Sequence, residues 1–217
     1  MSREEGVAHV LGMFDRSSSR DPSLVAHFTD DVDEAIADAR QRLEAMTDNL
    51  AYVDNIQHPM AGSLHFCALM LAIYLALKDR GADVHEFGRK MLELIAHFNR
   101  QRPPPALSDP DASLVEASKQ PAKPGEFEVE VFNGEGDSYS MNIKSCAVCG
   151  LFSQYDAMDL VPYMCASDDV VSDIAGQGLQ RTGTIALGAH HCDFVFEKGG
   201  EGKGLAGQYP EKIRLVD

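Results

Sequence analysis

Apolar and polar positions follow a helical period in the first half of the chain and a strand-and-turn pattern in the second, with the change after residue 105. Asp30, Asp31, Asp33 and Glu34 precede Ala35, Ile36, Ala39, Leu43 and Met46. An acidic first turn followed by three- and four-residue apolar spacing predicts an amphipathic helix over 30–50. The next helix, about 61–80, is apolar almost all round and stops at Gly81, a residue type common just beyond a helix end. Its longest apolar run, Leu64 to Leu77, is interrupted by His65 and is shorter than the roughly 20 residues that span a bilayer, so a buried central helix is expected. Asp83 then caps a third helix, about 84–101, whose Val84, Phe87, Met91, Leu94, Ile95 and Phe98 share one face. Pro103-Pro104-Pro105 ends it.

From 106 to 125, Pro, Ser, Asp and Lys crowd out large apolar residues, the composition of a linker. Phe127, Val129 and Val131 alternate with Glu126, Glu128 and Glu130, which predicts a half-buried strand. Turn chemistry over Asn133-Gly134-Glu135-Gly136-Asp137 returns Tyr139 to Lys144 as its antiparallel partner. Helices are expected over 146–155 and 157–176, the second breaking near Pro162. Strands are expected over 179–187 and 192–196, with Gly188 to His191 turning between them. In the tail, only Ile213 to Val216 carries enough apolar surface to dock back. The fold class is therefore α+β: a helical region over 1–105, a linker over 106–125 and an α+β region over 126–217. The helical region is expected to pack with a mixed α/β sandwich built on an antiparallel sheet.

Charge narrows the partners. With 34 acidic against 19 basic residues and a formal charge of −15, the chain would repel a phosphate backbone and an anionic membrane surface. Nucleic acid and membrane are set aside, and a small molecule is the expected partner. The polar start Met1-Ser2-Arg3-Glu4-Glu5 lacks a signal-peptide core, and five cysteines, an odd number, suit reduced thiols rather than a disulfide framework. A cytoplasmic location follows as an expectation. The apolar helices over 61–101 could support a homodimer.

Four of the five cysteines fall in the last third of the chain: Cys146, Cys149, Cys165 and Cys192, with Asp168, Asp169, Arg181 and His190-His191 nearby. Cys67, alone in an apolar helix, reads as a buried core residue. The other four could together hold a tetrahedral zinc, although Cys165 and Cys192 are separated singletons rather than a second Cys-x-x-Cys. Without metal, Cys165 or Cys192 could act as a nucleophile activated by His190, His191 or a helix N-terminus. Asp168 completes a Cys-x-x-Asp that shares a helical face with Cys165. Arg181 could fork onto a carboxylate from a strand, with Thr182 and Thr184 beyond it, the two threonines on one sheet face. Asp193 would face away from Cys192, in a structural role.

The Cys146 helix start, the Cys165-x-x-Asp168 element and the Arg181-Thr182-Gly183-Thr184, Gly188 and Cys192-Asp193-Phe194 ending resemble the L-2-amino-thiazoline-4-carboxylic acid hydrolase family. The resemblance is strongest over 143–197 and extends to Asn55, His65 and Gly81. The chain departs from the family pattern at Cys149, where a small residue is expected, and at Val195, which stands for an arginine. The order of elements in the C-terminal half is also similar to the 4-vinyl reductase domain group of small-molecule binders. The hydrolase resemblance implies ring opening of a cyclic amidine or thiazoline carboxylate by water. Arg181, with Thr182 and Thr184, would hold the substrate carboxylate, and Asp168 or His191 would take the proton from water. Cys165 and Cys192 would serve as nucleophile and partner or as metal ligands. The alternative is a non-catalytic sensor or carrier using the same pocket, with or without a structural metal.

Overall fold

The densest apolar stretch of the chain becomes the helix Ala61–Lys78, here α4. By length and hydropathy it could cross a membrane, but 78% of it is buried inside the fold, which makes it a core helix. The structure, a computed structural model, describes residues 2–101, 112–133, 138–200, 202 and 205. Pro103-Pro104-Pro105, the hairpin turn at 134–137 and the segment 213–216 lie outside the described residues. The fold is α+β, with helices and one antiparallel sheet, and the chain divides into two compact units, Met1–Phe87 and Gly88–Asp217.

In the first unit, α1 (Arg3–Arg20) is followed by the single-turn α2 (Ser23–Ala26), α3 (Val32–Met46) and α4. The periodicity gave no expectation for α1. It begins with a capping box, in which Ser2 Oγ accepts from the Glu5 N–H at 3.2 Å and the Glu5 carboxylate accepts from the Ser2 N–H at 2.7 Å. Gly6 is required in α1, because a Cβ there would lie 1.5 Å from the carbonyl oxygen of Val53. Along α3, Ala35, Ala39, Leu43 and Met46 are buried at the expected spacing, and α3 packs on α4. Their polar sides are tied by Asp38, which accepts from Arg42 at 2.8 Å and from Arg80 at 2.9 Å. The Arg42 hydrogen bond, against the pull of burial and with help from Arg80, holds the Asp38 carboxyl below the usual carboxylate range. Beyond α4, Gly81 turns the chain at φ +91° and the Ala82 N–H closes back on the Leu77 carbonyl at 3.0 Å. His65 is buried with its Nε2 3.2 Å from the Ala51 carbonyl, and burial pushes its pKa down.

The division between the units falls within α5 (Val84–Gln101), which Asp83 caps through the N–H groups of His85 and Glu86, both at 3.0 Å. In the second unit, Gly88 lies against the Tyr163 ring so closely that a Cβ would sit 2.3 Å from it. Part of the segment expected as a linker is a short helix, α6 (Ala112–Ala117). The sheet has the order β1 (Glu128–Asn133), β2 (Ser138–Ser145), β3 (Cys192–Glu197), all antiparallel. Register places Val129, Ile143 and Cys192 in one row and Val131, Met141 and Phe194 in the next on the same face. Phe132, Ser140 and Val195 form a row on the opposite face, where Phe132 and Val195 are exposed.

Strand β2 runs directly into Cys146 and α7 (Ala147–Ser153). A 3-10 turn, Met158–Leu160, leads into α8 (Val161–Ala175), which ends at Gly176 with φ +62°. Pro162 opens α8 instead of breaking it, because a proline in the first turn lacks only an N–H that the helix does not use. The strand expected over 179–187 is reduced to one bridge between Gln180 and Val195, followed by a 3-10 turn, Ile185–Leu187. The physical reason lies in Asp193, whose carboxylate takes the Thr182 and Gly183 N–H groups that a ladder would have used.

Candidate functional site

Arg181 organises the region where α8, β3 and the irregular 179–187 segment meet. Its side chain is fully buried (0% exposed), and its guanidinium carbon lies 5.0 Å from the centre of the Phe194 ring. Its Nη2 donates to the Asp169 carboxylate at 2.6 Å and to the Cys165 carbonyl at 2.7 Å, and its Nη1 reaches Asp168 at 3.3 Å. The fork expected from the sequence to hold a substrate carboxylate is therefore engaged by Asp168, Asp169 and the Cys165 carbonyl. Asp169, which the sequence ranked below Asp168, is the shorter and more buried partner of this arginine, and its other oxygen accepts from the Leu205 N–H at 3.4 Å. No periodicity separates two adjacent aspartates, and only the direction of the α8 face decides between them.

The threonines are separated by the loss of the strand. Thr182 is exposed and donates its hydroxyl to Asp193 at 2.6 Å, while Thr184 is fully buried. They do not share a sheet face, because that face does not exist at 179–187. Asp193 faces away from Cys192 along β3. Burial pulls its pKa up, but the Thr182 and Gly183 donors outweigh it and hold the carboxyl below its ordinary value.

The four C-terminal cysteines come together in the second unit, near enough for the charge on each to be felt by others. Cys149 senses Cys146, Cys165 and Cys192, and Cys165 senses Asp168, Arg181, Cys192 and Cys146. Their environments differ. Cys146 is the N-cap of α7 with φ −100° and ψ 110°, and its Sγ accepts from the Cys149 N–H at 3.5 Å. The Cys149 thiol, opposed by burial and helped by the Cys149 and Val148 N–H groups, lowers the Cys146 pKa to about 7. Cys149 is pushed up as the donor of that pair and by burial. Burial, with the Asp168 charge, pushes Cys165 up. Burial also raises Cys192 to about 11, although its Sγ accepts from the Ile185 N–H at 3.3 Å. Cys146 is thus the thiol whose surroundings favour ionisation, whereas burial disfavours the thiolates of Cys165 and Cys192, the nucleophiles expected from the sequence, because each loses more hydration than it regains in hydrogen bonds.

Asp168 joins this cluster through its effects on Cys146, Cys165 and Cys192. Burial pushes its carboxyl up to about 6, with Arg181 opposing and Asp169 adding. Half of its side chain (50%) still meets solvent. His190 and His191 are exposed in the turn before β3, and neither is hydrogen-bonded to a cysteine of the cluster. Cys67 is buried in α4, in the other unit. The four thiols share a field, but among the described residues no three or more His, Cys, Asp or Glu side chains are grouped to hold a metal ion. Val195, on the opposite face of β3 from Cys192, places that departure from the family pattern away from the thiols.

No curated protein and no solved structure matches the chain. The family model of L-2-amino-thiazoline-4-carboxylic acid hydrolase matches residues 64–196, more than half of the chain, and takes in most of α4, all four C-terminal cysteines, Asp168, Arg181 and Asp193. The chain belongs to the L-2-amino-thiazoline-4-carboxylic acid hydrolase family.

Proposed function

We propose that the protein is a hydrolase that opens the ring of a small cyclic amidine or thiazoline carboxylate resembling L-2-amino-thiazoline-4-carboxylate, with Cys146 as nucleophile and Asp168 as proton carrier. The observation that carries this reading is the asymmetry among the four clustered thiols. Cys146 alone among them has surroundings that favour the thiolate, and it lies in the field of a water-reachable carboxyl near its titration point. The family supports hydrolysis in general.

In the proposed sequence the Cys146 thiolate adds to the ring carbon between sulfur and nitrogen. The bond from that carbon to one ring heteroatom breaks, and protonated Asp168 gives that heteroatom its proton. The Asp168 carboxylate then takes a proton from water, the resulting hydroxide adds to the same carbon, and Cys146 leaves as a thiolate. One water is consumed and the enzyme is restored. The Cys149 thiol steadies the thiolate at both ends of the cycle, while the buried Arg181 positions Asp168 and lowers its cost of ionisation. Zinc remains a proposal only as an ion held by Cys146, Cys149, Cys165 and Cys192 after rearrangement, and no step above depends on it.

The test is incubation with L-2-amino-thiazoline-4-carboxylate followed by mass spectrometry. A product heavier by one water supports hydrolysis, and Asp168→Asn should slow its formation by at least about 100-fold. A melting temperature raised by a ligand that is never consumed supports the sensor or carrier reading instead.

A further inference from the structure

We propose that Cys146 and Cys149 form a reversible disulfide when the protein meets a hydroperoxide, Cys146 being oxidised first and Cys149 acting as the resolving thiol. The local geometry is that of a pair poised to join. Strand β2 delivers Cys146 in an extended conformation at the head of α7, which turns its side chain back over the first helical turn. The result is the contact of Cys146 Sγ with the Cys149 N–H at 3.5 Å. A Cys146 sulfur that already lies against the Cys149 backbone, within one helical turn, is placed for a bond of about 2 Å to the Cys149 sulfur. Both residues are partly open to solvent, whereas Cys67 and Cys192 are buried. A peroxide can therefore reach this pair before those two.

The chemistry balances with the peroxide as the oxidant. The Cys146 thiolate attacks one peroxide oxygen, the O–O bond breaks, and the other oxygen leaves as an alcohol or water after taking a proton. The Cys146 sulfenic acid is then attacked by the Cys149 sulfur, the S–O bond breaks, and water departs with the Cys149 proton. Two electrons have passed from the two sulfurs to the peroxide. A dithiol reverses the change by exchange. This chemistry does not depend on the proposed hydrolysis. In a protein that does turn over a substrate, oxidation would remove the nucleophile and silence it reversibly.

The experiment treats reduced full-length protein with a small molar excess of hydrogen peroxide, alkylates the remaining thiols and maps them by mass spectrometry. The expected result is loss of two of the five thiols, both in one peptide containing 146 and 149, and their return with dithiothreitol. Cys149→Ser should stop at a Cys146 sulfenic acid that dimedone traps, and Cys146→Ser should keep its four thiols at the same dose. Loss spread evenly over the cysteines, a bond from Cys146 to Cys165 or Cys192, or a 146–149 pair that reacts only after a chelator is added would each overturn the proposal. The wild-type map reads the outcome even where a variant fails to fold.

Discussion

Replacing Arg181 with Met keeps most of the side-chain stem over Phe194 and removes the charge that Asp169 and Asp168 share. Arg181 and Asp169 are 0% and 5% exposed, so water cannot replace the missing partner. Breaking a buried pair by removing one member costs about 3–5 kcal/mol, because the other charge stays buried and uncompensated. That is a fifth or more of the roughly 5–15 kcal/mol that holds a domain folded. With a urea slope of about 1.5 kcal/mol per molar, the unfolding midpoint should fall by roughly 2–3 M. Urea titration by circular dichroism measures the midpoint, and hydrogen exchange of peptides from 160–197 places the loss in the second unit. Adding Asp169→Asn should recover at least about 1 kcal/mol, because the cost comes from the abandoned charge and not from missing packing. A loss under about 1 kcal/mol for Arg181→Met, the size of an exposed ion pair, would refute the claim that this arginine organises the site.

Further consequences concern titration and packing. Alkylation of Cys146 should rise with pH about a midpoint near 7, and Cys149→Ala should move it towards the ordinary thiol value of about 8.5, as peptide-mapped iodoacetamide rates can show. The Asp168 carboxyl is raised in the folded state, so its contribution to stability is complete below about pH 4 and is lost as pH rises through about 6. The stability of the wild type relative to Asp168→Asn should therefore decline across that window in urea titrations, and no change with pH would contradict the assigned environment. Gly88→Ala places a methyl carbon 2.3 Å from the Tyr163 ring, and the overpacking should cost about 1–3 kcal/mol despite alanine's better helix propensity. An unchanged or raised melting temperature would show that the ring moves aside freely.

Helices α3, α4 and α5 and the β1–β2 hairpin were legible because their apolar periods are strong and their ends carry Asp, Gly or Pro signals. Helix α1 was not, because its four buried residues include a glycine and its polar face dominates the composition. The segment 179–187 reads as a strand by residue type, but Arg181 turns inward to α8 and Asp193 captures its N–H groups. Those are tertiary choices that local propensity does not contain. The expectation of one site for the four cysteines, Asp168 and Arg181 rested on their order along the chain. Which thiol has surroundings that favour ionisation was not legible there, since it depends on Cys146 occupying an N-cap opposite Cys149 while Cys165 and Cys192 are stripped of water. The preference of Arg181 for Asp169 over Asp168 rests in the same way on which side of α8 faces it.

The central claim concerns Cys146, and the most direct measurement is turnover of L-2-amino-thiazoline-4-carboxylate by wild type, Cys146→Ser and Cys165→Ser, followed by the appearance of the ring-opened product one water heavier. The proposed role of Cys146 requires product from wild type and from Cys165→Ser, and none above background from Cys146→Ser. Full activity in Cys146→Ser, or loss confined to Cys165→Ser, would contradict the assignment of the nucleophile.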